Sequence, residues 1–194
     1  MRDIIKLFVV VAIFSAVAGL ALAAVQDATK DRIELMENKY VRGPALEKLF
    51  AGSTNEPLAD SFKIKDGDED MNIFPAEFDG KRNIIAFESF GMGFDGKVGV
   101  MVGFDLEKDE LVGMRVTTHT ETPGVGSRAT TEATFINQFK GLSIDTGFKV
   151  KADGGDIDAM SGATITSRGV SAAVAGAIEK YKKLKDEIIK NIQA

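Results

Sequence analysis

The segment from Asp158 to Ser167, Asp-Ala-Met-Ser-Gly-Ala-Thr-Ile-Thr-Ser, has the clearest potential for chemistry in this chain. It lies where a long amphipathic helix is predicted to begin, and its hydroxyls within one turn of that point are those of Thr164, Thr166 and Ser167. Backbone N–H groups at a helix N-terminus lack partners inside the helix and, with the helix dipole, stabilise a phosphate. Gly162 and Ala163 add little bulk, so a ligand can approach the backbone. The same hydroxyls suit an ordinary N-cap, and the residues alone leave both interpretations open.

Composition excludes several other kinds of site. The chain has no cysteine, which excludes a disulfide, a thiolate nucleophile, an iron–sulfur cluster and a flavin bound through sulfur. Its one histidine, His119, cannot by itself provide a zinc or haem site that needs two imidazoles. A formal net charge of −5 without basic runs argues against nucleic-acid binding. Redox chemistry here would therefore need an organic cofactor, and no metal site is expected.

Residues 158–164, D-A-M-S-G-A-T, resemble the flavinylation signature of the FMN-binding domain family, D-x-x-(S/T)-G-A-(T/S). The resemblance implies that a dedicated flavin transferase, using FAD, joins the Thr164 hydroxyl to the phosphate of FMN. Together with the helix start, it also implies cofactor binding by the rest of the segment, namely Asp158, Ser161, Gly162, Ala163, Thr166 and Ser167, and recognition of Asp158 by the transferase. No residue of this chain is expected to be catalytic in its own right.

A second stretch, residues 119–126 with the sequence H-T-E-T-P-G-V-G, resembles the loop E-T-P-G-(L/I)-G that lies along the flavin in the same family. Val125 departs mildly from that pattern. The resemblance implies flavin contacts from Glu121, Thr122, Gly124 and Val125. Glu121 could set the potential of the flavin or bind its polar edge, or it could be a surface carboxylate that caps the turn before Pro123. His119 is interpreted as a structural hydrogen-bonding residue or as a proton donor.

Within the family, the chain most resembles G subunits of the Rnf complex, which couples electron transfer between ferredoxin and NAD to sodium or proton transport. C subunits of the sodium-translocating NADH:quinone reductase are similar but typically longer. The resemblance implies an electron relay that works with other membrane subunits and turns over no substrate alone. Two alternatives stay open: the FMN domain of another exported reductase or regulator, and an anchored, non-redox binding domain.

The N-terminus predicts a membrane anchor. Between Leu7 and Val25 only Ser15 is polar, and a helix over this run is about 28 Å long, close to the hydrocarbon thickness of a bilayer. Basic residues precede the run, which favours a cytoplasmic N-terminus. We therefore predict a cytoplasmic tip and lipid-contacting transmembrane anchor over residues 1–27, and an FMN-binding domain over residues 28–194 on the outer, periplasmic side of a bacterial inner membrane. A cleaved signal peptide ending near Ala23 is the alternative.

The remaining pattern predicts an α+β fold, an antiparallel sheet with packed helices. Predicted strands cover 83–90, 98–104, 111–118 and, briefly, 148–150; predicted helices cover 28–40 (ending at Gly43-Pro44), 45–50, 131–139 and a long segment from near Thr166. Gly91 to Gly96 matches G-x-G-x-x-G, but a strand rather than a helix follows, which indicates a hairpin turn. The acidic stretch 65–70 lacks the later ligands of a calcium loop and is interpreted as a solvated turn.

Overall fold

The computed structural model describes residues 2–67 and 69–192, and the chain divides into two units, Met1–Tyr40 and Val41–Ala194. Helix α1 (Arg2–Glu37) makes up most of the first unit, and none of its residues is buried. Among the described residues, one helix is long and apolar enough to cross a membrane, and it contains the predicted span from Leu7 to Val25. Residues 28–37 continue this helix, so the second unit starts later than residue 28; the topological boundary stays a prediction.

Gly43 and Pro44 do not end the helical run, as the sequence predicts, but begin the next helix. A wide π-helical turn, Asn38–Arg42, leads directly into α2 (Gly43–Leu49). Pro44 lies in the first turn of α2, where proline is frequent because its φ suits a helix start. The short helix predicted at 45–50 is confirmed.

Five antiparallel strands form one sheet in the order β1-β2-β3-β4-β5, so that neighbours in sequence are neighbours in space. Their bounds are β1 Phe62–Asp66, β2 Glu69–Phe78, β3 Lys81–Met92, β4 Lys97–Asp105 and β5 Glu110–Thr118. The three strands predicted between 83 and 118 are confirmed. Strands β1 and β2 were not predicted from the sequence. The strand pattern is obscured in β1 by its lysines and acids, and in β2 by Pro75 and the acids at its start. The supposed turn 65–70 partly belongs to these strands: Asp66 pairs with Glu69, and Asp68 lies outside the described residues.

Helix α4 (Thr164–Ile192) covers one face of the sheet and α2 covers part of the other. On the α4 side the ring of Tyr181 stacks on Phe104, with centroids 4.5 Å apart, inside the main core. On the α2 side, Leu46 and Phe50 pack with Met101 in a second, smaller core. Strand β4 is buried on both faces as a result, and the predicted α+β class is confirmed.

Two short elements differ from the prediction. The helix predicted at 131–139 starts only at α3 (Ala133–Ile136), because Glu132 takes an extended backbone conformation, and it continues as a 3₁₀ turn over Asn137–Phe139. The predicted strand at 148–150 is absent among the described residues. Val150 makes a single bridge to Ile157, and the chain reverses at Gly154, whose φ of 81° lies in the left-handed region.

Candidate functional site

The signature segment forms the start of α4, and the helix begins at Thr164 itself rather than near Thr166. Gly162, with φ of 76°, turns the chain into the helix. The first helical hydrogen bond runs from the Ser167 N–H to the Ala163 carbonyl at 3.0 Å. The N–H groups of residues 164–166 therefore precede the helical ladder and can bind an anionic group.

Thr164 is half-buried, and its side chain lines a cleft. Within residues 2–67 and 69–192, no hydrogen-bond partner is found for its hydroxyl. A threonine hydroxyl at a helix start normally bonds to nearby backbone. The Thr164 hydroxyl makes no such bond within the described residues, and it stands at the last position of the signature.

The cleft has a volume of about 330 Å³ and brings together three segments that are far apart in sequence. They are the β3–β4 turn, the loop after β5 and the first turn of α4. Its lining residues are Phe94, Glu121, Thr122, Val125, Gly126, Gly162, Ala163, Thr164, Ile165 and Thr166. The two motifs found in the sequence therefore meet in one site. The aromatic wall contributed by Phe94 was not expected, and the only sequence signal for it is an aromatic residue inside a glycine-rich turn.

Glu121 is buried, with 4% of its surface exposed. Its Oε1 accepts hydrogen bonds from the backbone N–H groups of Phe94 (2.8 Å) and Asp95 (3.1 Å), and its Oε2 accepts one from the Thr166 hydroxyl. The alternative of a surface carboxylate before Pro123 is therefore wrong. Glu121 binds the β3–β4 turn and α4 instead.

Glycines make the space that this carboxylate occupies. A Cβ atom added to Gly93 would lie 2.3 Å from Glu121 Oε1, and one added to Gly126 would lie 2.4 Å from Oε2. Both distances are below 3.0 Å, which real Cβ atoms essentially never show. Gly126 therefore has to be a glycine because the buried side chain of Glu121 occupies the space beside it.

Four sequence-predicted site residues do not line the cleft. Ser167 is fully buried, and its hydroxyl accepts from the Met160 N–H and donates to the Ala163 carbonyl, both at 3.0 Å. These bonds shape the segment from inside, so a direct contact between Ser167 and a cofactor is not retained. Ser161 and Gly124 are exposed beside the cleft. Asp158 is exposed on another surface, where its carboxylate pairs with Lys151 at 2.7 Å.

Arg128 connects the two loops, although nothing in either motif indicates it. Its guanidinium donates to the Val125 carbonyl (3.2 Å) and to the Ser161 carbonyl, and it forms an ion pair with Glu132 (3.3 Å). One side chain thereby fixes the distance between the loop after β5 and the segment before α4. Only its place two residues after Gly126 could have suggested this role.

His119 does not line the cleft. Its Nδ1 is buried, and no hydrogen-bond partner is present for it within the described part of the chain. A proton donor for the cleft would have to face it, so this interpretation of His119 is not supported.

Comparisons with known proteins agree on the family. Residues 93–179 match the family described as FMN-binding domain. The G subunit of the ion-translocating oxidoreductase complex of Cereibacter sphaeroides is 31% identical, over 91% of this chain and 84% of that protein. The corresponding subunit of Aliivibrio fischeri is 32% identical, over 95% and 93%.

Solved structures show the same fold. The C subunit of the Na⁺-translocating NADH-quinone reductase from Parabacteroides distasonis is 27% identical, with a TM-score of 0.50 over 60% of this chain and 63% of that one. Shewanella oneidensis NqrC, at 23% identity and a TM-score of 0.53 over 72% and 73%, shares the fold. The matches over nearly the whole chain decide the assignment: the chain belongs to the family of G subunits of ion-translocating oxidoreductase complexes and carries an FMN-binding domain.

Proposed function

We propose that this chain is the electron-relay subunit of a membrane-bound, ion-translocating ferredoxin:NAD oxidoreductase of the Rnf type, with FMN joined to Thr164 by a phosphoester bond. The observation that carries the proposal is the Thr164 hydroxyl. It has no partner among the described residues, and it lies in the first turn of α4 beside N–H groups that precede the helical ladder.

The residues of the cleft fit FMN. Backbone N–H groups of residues 164–166 suit the phosphate, since a helix N-terminus binds anions without a basic side chain. Phe94, Val125 and Ile165 are partly or largely exposed apolar side chains that suit the flat ring. The cleft is within the usual size range of ligand sites, about 300–1,000 Å³. FMN supplies the electron-transfer chemistry, and the protein supplies attachment and environment.

Attachment requires a second protein, a flavin transferase that uses FAD. In the proposed transfer, the Thr164 oxygen forms a bond to the phosphorus of the FMN half of FAD. The bond between the two phosphates breaks, AMP leaves and the hydroxyl proton is released. Exposed Asp158 and Ser161 suit recognition by such an enzyme, because neither is enclosed by the cleft.

Helix α1 is proposed to anchor the domain in the cytoplasmic membrane, with the N-terminus inside and the second unit outside. Its apolar side chains are exposed along its length, as contact with lipid would require. The names of the relatives imply other subunits of the same complex as partners. A covalent flavin would suit this location, because a dissociated cofactor could not be replaced from a pool.

The second candidate is a C-type subunit of a sodium-translocating NADH:quinone reductase, which the similarity to the Parabacteroides distasonis protein favours. The two candidates share the site and differ in their partners. Mass spectrometry of the proteins that co-purify with the full chain from its own membranes separates them.

The covalent flavin can be tested by denaturing electrophoresis of the full chain from its host, viewed under ultraviolet light. A fluorescent band is expected, and a dark band from a host without the transferase is the control. If the protein from the transferase-containing host is also dark, the proposed attachment is wrong.

A further inference from the structure

Glu121 connects all three segments of the cleft. Glu121 itself lies in the loop after β5. It accepts hydrogen bonds from the amides of Phe94 and Asp95 in the β3–β4 turn. It also accepts one from Thr166 in the first turn of α4, 45 residues further along the chain. Thr120, the preceding residue, also donates its hydroxyl hydrogen bond to the Asp95 carbonyl. The β3–β4 turn is therefore held by two adjacent side chains, and one of them, that of Glu121, also holds the helix start.

Both oxygens of the carboxylate are used inside the protein. Hydrogen bonds to an ionised acceptor are stronger than neutral ones, and a buried carboxylate that loses a donor is left with a large desolvation cost. Neither Gly93 nor Gly126 leaves room for a side chain beside it. The surroundings of Glu121 thus favour one position of the carboxylate.

We propose that Glu121 is a positioning residue for FMN attachment, which it serves through Thr166 and not through a bond to the flavin. The first residues of a helix are held by few backbone hydrogen bonds and fray readily. A side-chain bond at Thr166 fixes that turn, and with it the direction of the Thr164 hydroxyl two residues earlier. This inference rests on the proposed attachment of FMN to Thr164.

The test uses full-length protein made without flavin transferase and then incubated with FAD and the purified enzyme. The rate at which FMN is added to folded protein is followed by intact mass spectrometry, and circular dichroism gives the folded fraction. Thr166→Val keeps the shape of the side chain but removes the donor, and we expect loading about tenfold slower, since small misplacements of a reacting group have large effects on rate. Thr166→Ser restores the donor and should load within about twofold of the wild type.

The control is Thr130→Val, which removes a threonine hydrogen bond to the Ser127 carbonyl (2.7 Å) by the same exchange. It should load at the wild-type rate. Equal loading of folded Thr166→Val and wild type would overturn the inference, as would a Thr166→Ser variant as slow as Thr166→Val. A wild-type protein that gains no FMN would instead contradict the proposed attachment itself.

A second measurement tests whether the two residues act together. Glu121→Ala should slow loading, and adding Thr166→Val should slow it little further, because the bond between them is already lost. Effects that multiply would mean that Thr166 acts independently of Glu121, and the inference would fail.

Discussion

Gly91 of β3 and Gly169 of α4 are in direct backbone contact, so that a Cβ atom at Gly91 would lie 1.9 Å from the Gly169 carbonyl oxygen. A Cβ atom at Gly169 would in turn lie 2.7 Å from the Met92 carbonyl oxygen. The start of α4 can therefore lie against the end of β3 only because both residues are glycine. This contact therefore holds the start of α4, which carries Thr164, close to the end of β3.

The Gly91–Gly169 contact predicts that Gly169→Ala destabilises the domain by about 1–3 kcal/mol, the usual cost of overpacking, and reduces FMN loading. Gly176→Ala on the same helix is the matched control, because its Cβ would meet only Ser89 Oγ at an ordinary 3.6 Å. Alanine favours helix more than glycine, so the control should be neutral or more stable by up to about 1 kcal/mol. Urea unfolding measures both variants. Equal free energies of unfolding would show that the sheet and helix separate easily at this point.

Thr164→Val should give a folded protein without covalent flavin, because the change removes only the hydroxyl. Thr164→Ser should retain the flavin, since either hydroxyl fits the signature. Far-ultraviolet circular dichroism should be the same for both, while flavin absorbance after denaturation is present only for serine. Covalent FMN on the valine variant would mean that another hydroxyl is the attachment point.

Asp158→Ala should sharply reduce FMN loading with little change in stability, because the side chain is exposed and outside the cleft. Asp145→Ala is the control, since it removes another exposed carboxylate that pairs with a lysine, Lys182, at 2.6 Å. Intact mass spectrometry gives the loaded fraction. Normal loading of Asp158→Ala would leave Asp158 as a residue of the local turn only.

Asp109 should make the stability of the domain depend on acid pH. Hydrogen bonds from Lys185 and Tyr181, each 2.6 Å long, lower the pKa of its carboxyl group in the folded state. A lowered folded pKa stabilises the protein above the ordinary carboxyl pKa of about 3.9, and this contribution is lost as the pH falls through the folded value. Asparagine also tolerates the φ of 55° at this position.

Asp109→Asn should therefore be less stable than wild type at pH 7, by about 0.5–1 kcal/mol because the side chain is partly exposed. The difference should shrink below about pH 4. Urea unfolding at several pH values measures it. A difference that does not change with pH would mean that the charge of Asp109 contributes nothing.

A protein that begins at Val41, exported behind a cleavable signal, should fold and take up FMN, because the second unit contains both cores. One that begins at Ala51 lacks α2, and with it Leu46 and Phe50, each 2% exposed. Burial of one such side chain contributes about 1.5–3 kcal/mol, so the shorter protein should be much less stable. Thermal unfolding compares them. Equal stability would show that α2 is dispensable.

Local patterns in the sequence were sufficient for several features. The spacing of Val170, Val174 and Tyr181 predicts the long helix, and the alternation after Val98 predicts β4, because each pattern depends on residues within a few turns or pleats. The signature around Thr164 is likewise contiguous. Charged residues in β1 and Pro75 in β2 weaken the pattern that predicts a strand. Both strands are instead stabilised by their neighbours in the sheet.

The tertiary structure alone decided how the site is held together. The bond between Glu121 and Thr166, the bond from Arg128 to the Ser161 carbonyl and the contact of Gly91 with Gly169 all join residues that are distant in the chain. No local spacing encodes such pairs, because they exist only where α4 crosses the end of β3 and the loop after β5 returns to both. The sequence by itself determined which hydroxyl is proposed to carry the phosphate, and packing decided where that hydroxyl lies.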